Sequence, residues 1–152
     1  MTTLIGVIGG REVEEELIEI AYEVGREIAR RGAIMVCGGL GGVMEAASRG
    51  VYEEGGIAVG ILPSDRKEDA NPYIKIPVAT GLGIGRNVII ARTADALVAV
   101  GGGYGTLSEI AFALQLGKPV IGISTWDIRG IYFSSNAKDS VEKALKLVGH
   151  KC

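Results

Sequence analysis

The chain predicts a single α/β domain built on a doubly wound parallel sheet with helices on both faces. Short apolar runs alternate along the whole chain with stretches that place apolar residues at helical spacing. The apolar runs are nearly continuous, which is the pattern of strands covered on both faces in a parallel sheet. A third observation is glycine: 24 of 152 residues, well above the roughly 7% of average usage. These glycines cluster where the strands end.

Leu4 to Ile8 reads as the first strand, ending at Gly9 and Gly10. Val13, Leu17, Ile20, Ala21, Val24 and Ile28 then recur at helical spacing, and Gly32 closes that helix as a C-terminal cap. Ala33 to Cys37 is a second buried strand, followed by Gly38, Gly39, Leu40, Gly41 and Gly42 and a helix from about Val43 to Glu54. Gly56 to Leu62 is the third strand, leading into the polar segment Ser64 to Asn71. Tyr73 to Val78 reads as a fourth strand, kept short or at an edge by Pro72 and Pro77, because proline cannot donate to a ladder. A helix from about Arg86 to Thr93, a strand Ala96 to Val100, a helix Thr106 to Leu116 and a strand Pro119 to Ile123 continue the alternation. Trp126 to Asn136 reads as irregular, and Lys138 to Val148 as a closing amphipathic helix. With no internal repeat or low-complexity tract, residues 1–152 are expected to form one Rossmann-like domain that binds a nucleotide or phosphate.

Composition narrows the partners. A chain of this length buries a true core without metal or disulfide staples. Hydrophobic residues at 47% and charged residues at 22% are those of an ordinary soluble globule. The formal net charge of -2 gives no electrostatic reason for a nucleic acid or acidic membrane partner. Cys37 and Cys152 lie far apart, which argues against a disulfide framework and for the reducing cytoplasm. No apolar run reaches membrane-spanning length, and Met1-Thr2-Thr3 runs into a strand without a leader pattern.

In a sheet of this kind ligands bind outside the carboxyl ends of the strands, where strand order reverses. The glycine clusters fall at that edge. Gly101, Gly102, Gly103, Tyr104 and Gly105 break a strand and lead into a helix whose first turn carries Thr106 and then Glu109. Glycines there let backbone N–H groups approach an anion, and the helix adds its positive end. Gly38 to Gly42 precedes the helix at Val43 in the same way. Glycines after strands also serve plain α/β turns, but two loops without a bulky residue in the first helical turn point to phosphate. Gly103-Tyr104-Gly105-Thr106-Leu107-Ser108 is a near miss to the dinucleotide fingerprint, with Asp127 about 20 residues on as an acidic ribose ligand. A P-loop is excluded, because the Gly117-Lys118 pair runs into Pro119.

Arg86 opens a helix, where a cation is unfavourable to the dipole. It is either a solvated surface arginine or a group that neutralises a phosphate or holds Glu109. Glu109 complements a helix N-terminus, yet Leu107, Ile110, Ala111 and Phe112 around it predict a partly enclosed carboxylate. Trp126, Asp127, Arg129 and Tyr132 either close over a ring of the ligand or simply pack. The helix Leu107 to Leu116 is apolar around most of its circumference, from a central position or from burial against another subunit.

These residues carry a resemblance. Gly101 to Glu109 resembles the Pro-Gly-Gly-x-Gly-Thr-x-x-Glu signature of the LONELY GUY phosphoribohydrolases, enzymes often mislabelled as lysine decarboxylases. Cys37-Gly38-Gly39-Leu40-Gly41-Gly42-Val43-Met44 is similar to their other glycine loop, and Arg86 stands in the place of their catalytic arginine. The Arg86-Asn87 pair and the triple glycine are closer to the molybdenum-cofactor carrier proteins. Gly101 stands where the signature has proline, and Asn87 where the cytokinin-activating enzymes have lysine.

The resemblance implies Arg86 and Glu109 as catalytic residues. It implies a phosphate or ligand site of Gly9, Gly38, Gly39, Gly41, Gly42, Val43, Met44, Asn87, Gly101, Gly102, Gly103, Tyr104, Gly105 and Thr106. Two readings follow. A binding or carrier protein would hold a nucleoside monophosphate or molybdopterin cofactor. A phosphoribohydrolase would cleave the N-glycosidic bond of a nucleoside 5'-monophosphate, with Glu109 stabilising an oxocarbenium-like transition state or activating water. No cofactor is required by either, and nucleotide or molybdenum cofactor enters as ligand. Lysine decarboxylation is rejected, since no lysine sits in a pyridoxal-phosphate context. The resemblance to dimeric families implies a homodimer or higher homo-oligomer.

Overall fold

The computed structural model describes residues 1–149, so His150, Cys152 and the last residues of the expected 1–152 domain lie outside the described residues. Its strands are β1 (Leu4–Gly9), β2 (Ile34–Cys37), β3 (Ala58–Leu62), β4 (Ile76–Ala79), β5 (Ala96–Val100), β6 (Val120–Ile123) and β7 (Tyr132–Phe133). The helices are α1 (Glu15–Arg30), α2 (Val43–Glu53), α3 (Arg86–Thr93), α4 (Tyr104–Gln115) and α5 (Ala137–Gly149). The strands form one sheet in the order β4-β3-β2-β1-β5-β6-β7, and every pairing is parallel. The Rossmann-like α/β fold follows from this order. The chain winds outward from β1 through β4, returns to the middle at β5 and winds the other way, so the reversal lies between β1 and β5.

The period-two side-chain alternation of the strands sorts the core into two layers. Ile5 and Val7 of β1, Met35 and Cys37 of β2, and Val98 and Val100 of β5 face α1, α2 and α5. Ile8, Val36, Leu97 and Ala99 face the opposite layer, where Ile90 and Ala91 of α3 and Ile110 and Ala113 of α4 pack. Each strand is therefore apolar at successive residues.

The elements differ from expectation at their ends. α4 begins at Tyr104, ahead of Thr106, because Gly101 (φ 57°) and Gly102 (φ 108°) complete the turn and leave Gly103 as the cap. β3 begins at Ala58 because the Gly56 N–H closes α2 on Val51 O. β4 begins late, because Asn71 Oδ1 takes the Tyr73 N–H at 3.0 Å and holds that stretch in a turn. Within the segment read as irregular, Tyr132 and Phe133 form β7 beside Ile121 and Gly122. Asn136 caps α5 by accepting the Asp139 N–H at 2.8 Å. Among the described residues no helix is long and apolar enough to cross a membrane.

Helices α1 and α2 touch backbone to backbone. A Cβ on Gly25 would lie 2.0 Å from Ala47 O, and one on Gly50 2.1 Å from Tyr22 O. Gly25→Ala is therefore expected to destabilise the fold by roughly 3 kcal/mol, the upper range of overpacking, as read by urea unfolding.

Candidate functional site

At the strand reversal, Gly9 of β1 pairs with Val100 of β5, and a Cβ on Gly9 would fall 2.4 Å from Val100 O. The ends of β1 and β5 thus pinch together, and a cleft of about 330 Å³ opens above them. Its walls come from four directions. Val7 to Arg11 supply the floor, Gly83, Ile84, Arg86 and Asn87 the start of α3, and Gly103, Gly105, Thr106 and Glu109 the start of α4. Gly38, Met44 and Pro63 close the remaining side. The N-terminus of α4 opens here, with first-turn amides that have no partner inside the helix, whereas the Arg86 N–H at the start of α3 is already bonded to Gly83 O in the turn before it.

Arg86 is buried, 9% exposed, and so is not a solvated surface arginine. Its guanidinium lies against Gly38, where a Cβ would come within 2.7 Å of Nη2. Nη1 donates to Asn87 Oδ1, while the buried Nε has no hydrogen-bond partner. Burial pushes the guanidinium below its ordinary pKa, and Glu109 and Cys37 pull it back up. Arg11 adds a second cation to the same wall. An anion seated here would meet the guanidinium and the N-terminus of α4.

Glu109 is 6% exposed and lines the cleft one turn into α4. Burial raises its carboxyl to about 8, against the nearby Arg86, which lowers it. A carboxyl raised in this way keeps its proton to higher pH than an ordinary one and, while protonated, can donate a hydrogen bond. Thr106, 3% exposed, packs its side chain against Gly102, where a Cβ would lie 2.2 Å from Oγ1.

The structure gathers Gly9, Gly38, Met44, Arg86, Asn87, Gly103, Gly105, Thr106 and Glu109 around one cleft. It places the other predicted residues elsewhere. Gly39 packs on Leu62 and Gly60, and Gly42 lies under the Gly10 and Arg11 backbone. The Val43 N–H donates to Gly10 O at 3.0 Å, so the first amide of α2 is already used to clamp the end of β1. At Gly41 an added Cβ would meet open space. Gly101 and Gly102 face a separate depression shared with Glu12, Val13, Glu14, Glu16, Leu17 and Ser124. Tyr104 is exposed and stacks on Trp126 at 6.2 Å, and Trp126 Nε1 donates to Gly103 O at 3.0 Å, which pins the loop after β6 to the glycine turn. Arg11 was missed by sequence reasoning. A cation directly after the Gly9-Gly10 strand end was the available signal.

The SLOG cluster4 family model matches residues 2–148. An uncharacterised protein of Archaeoglobus fulgidus is 53% identical over 120 residues, 78% of each chain. The cytokinin riboside 5'-monophosphate phosphoribohydrolase LOG of Oryza sativa subsp. japonica is 31% identical over 75% of this chain, which spans about half of that enzyme's length. Among solved structures, the molybdenum cofactor binding protein of Rippkaea orientalis superposes with a TM-score of 0.92 at 33% identity, covering 97% of this chain and 98% of that one. The molybdenum cofactor carrier protein of Chlamydomonas reinhardtii gives 0.88 at 32% identity, covering 98% and 99%.

Proposed function

The chain belongs to the SLOG cluster4 family, and from that premise we propose that it binds a phosphorylated, nucleotide-like ligand in the cleft between β1, α3 and α4, as a binding or carrier protein. The ligand is a nucleoside monophosphate or molybdopterin cofactor. The observation that carries this reading is the buried Arg86 Nε without a partner, beside Arg11 and the N-terminus of α4. Leaving a buried charged donor unsatisfied costs on the order of 1–3 kcal/mol, which an anionic oxygen recovers on binding. Similarity to the cofactor-binding protein and the carrier protein supports the same reading.

A phosphoribohydrolase is the second reading, favoured by the rice relative and by a carboxyl group in the cleft. Burial raises that carboxyl, which suits a hydrogen-bond donor to a bound ligand and suits equally a general acid to a leaving base. Stabilising an oxocarbenium-like centre or activating water needs the ionised form, whereas a hydrogen bond to a ligand hydroxyl or phosphate needs the acid.

Thermal unfolding with AMP or inorganic phosphate, run beside an assay for released adenine, separates the two. AMP at about 100 times its dissociation constant is expected to add about 2.7 kcal/mol of stability without base release. Gly103→Val, at the cleft wall, is expected to remove that gain. Adenine release that stops in Glu109→Ala would instead establish the hydrolase, and no stabilisation by any phosphorylated ligand would sink both. The homo-oligomer belongs to the same proposal. Tyr104 and Phe112 are exposed on α4, and light scattering of the purified chain is expected to return at least a dimer mass.

A further inference from the structure

Asn87 follows Arg86 at the start of α3 and lines the same cleft as Glu109. Its Oδ1 accepts from Arg86 Nη1, its Nδ2 donates to Ser108 Oγ at 3.2 Å, and the Ser108 hydroxyl donates to Gly105 O at 2.6 Å. The last bond uses the one proton Ser108 has, so its oxygen meets Asn87 as an acceptor and the amide NH2 must face it. The carbonyl oxygen of Asn87 is thereby turned to the guanidinium, in a residue 5% exposed. These three bonds tie the start of α3 to the start of α4.

A neutral acceptor therefore holds Arg86 although a carboxyl lies in the same cleft. Glu109 interacts with Arg86 electrostatically, yet the ion pairs among the described residues do not include the two. Were they paired, the guanidinium would be satisfied and an anion would have to compete with the carboxylate for it.

We propose that Asn87 is a positioning residue and not a ligand contact: locked from behind by Ser108, it holds Arg86 off Glu109 and keeps the guanidinium open to an anion in the cleft. The part concerning the anion rests on the binding reading above. The part concerning Arg86 and Glu109 stands without it.

The Glu109 carboxyl is followed by NMR of the 13C-glutamate-labelled chain without ligand, from pH 5 to 10. In Asn87→Ala its titration midpoint is expected to fall by about one pH unit or more, because a freed guanidinium swings to the carboxylate and favours its ionised form. Arg11, Cys37 and Glu109 act on Arg86, while burial and Arg86 act on Glu109, so a moved midpoint reports the pairing.

AMP is the binding probe. Asn87→Ala is expected to weaken it about tenfold, and the same change in a Glu109→Gln background by no more than about threefold, since no carboxylate remains to capture the cation. An unmoved midpoint, or equal losses in both backgrounds, overturns the proposal, for a direct contact or a merely structural amide gives that result. If the unmodified chain binds no AMP, the nucleoside monophosphate form of the binding reading fails alone and the midpoint still decides the role of Asn87. Should Asn87→Ala fail to fold, Ser108→Ala removes only the backing bond, and its midpoint is expected to move in the same direction.

Discussion

Arg86→Met is expected to reduce AMP affinity by more than about a hundredfold while leaving unfolding free energy within about 1 kcal/mol, as calorimetric titration and urea unfolding would read. The loss follows from geometry. Arg86 lines the cleft with a guanidinium whose Nε is without a partner, and hydrogen bonds to charged groups contribute roughly 1.5–3 kcal/mol each, so two of them to one phosphate account for the factor. Stability responds differently because opposing terms meet. Burial penalises the guanidinium, so methionine of similar volume relieves that cost, while Asn87 Oδ1 loses its donor. A hundredfold loss with little change in stability marks a residue retained for binding at the expense of folding. Arg86→Met that destabilised strongly and left AMP binding intact would make the guanidinium a structural brace instead.

The sheet was legible because the pattern is redundant. Leu97 and Ala99 face one layer and Val98 and Val100 the other, so β5 is apolar throughout and reads as doubly covered from sequence. β7 was not legible, since two residues, Tyr132 and Phe133, carry no periodicity and are held by tertiary contacts, the pairing to β6 and the Lys143 Nζ that donates to Phe133 O at 2.8 Å. The cleft was legible in its glycines and in Arg86, because the strand-end rule places both at one edge. The division of labour between the two glycine loops was not. It depends on the Val43 N–H meeting Gly10 O across the gap between β1 and α2, a contact between positions thirty-odd residues apart that no local motif encodes. The burial of Arg86 likewise comes from Gly38 and Asn87 closing around it, a tertiary arrangement.

Stability is expected to fall as pH rises from about 5 to about 8.5, and Glu109→Gln to remove most of that fall. Glu109 titrates near its ordinary 4.5 in the unfolded chain and near 8 in the folded one. Below 4.5 both states hold the proton and the group is silent. Between the two values the folded state binds more protons than the unfolded, so each pH unit costs about 1.4 kcal/mol, and above 8 the whole penalty, on the order of 4–5 kcal/mol, is present. Glu54 and Asp139 act in the opposite direction. A hydrogen bond from Arg26 holds Glu54 low and one from Ser134 holds Asp139 low, so their contributions are lost only in acid, below the window of Glu109. The difference between the unmodified chain and Glu109→Gln across pH 5 to 9 therefore isolates this one carboxyl, as measured by urea unfolding at each pH. Equal slopes in the two proteins would mean that Glu109 ionises freely near 4.5, and its place in the cleft would then be that of a carboxylate. A steep slope in the unmodified chain alone leaves a neutral acid at physiological pH. An anionic ligand beside it would favour the proton further, so the same ionisation is expected to weaken AMP binding above about pH 8.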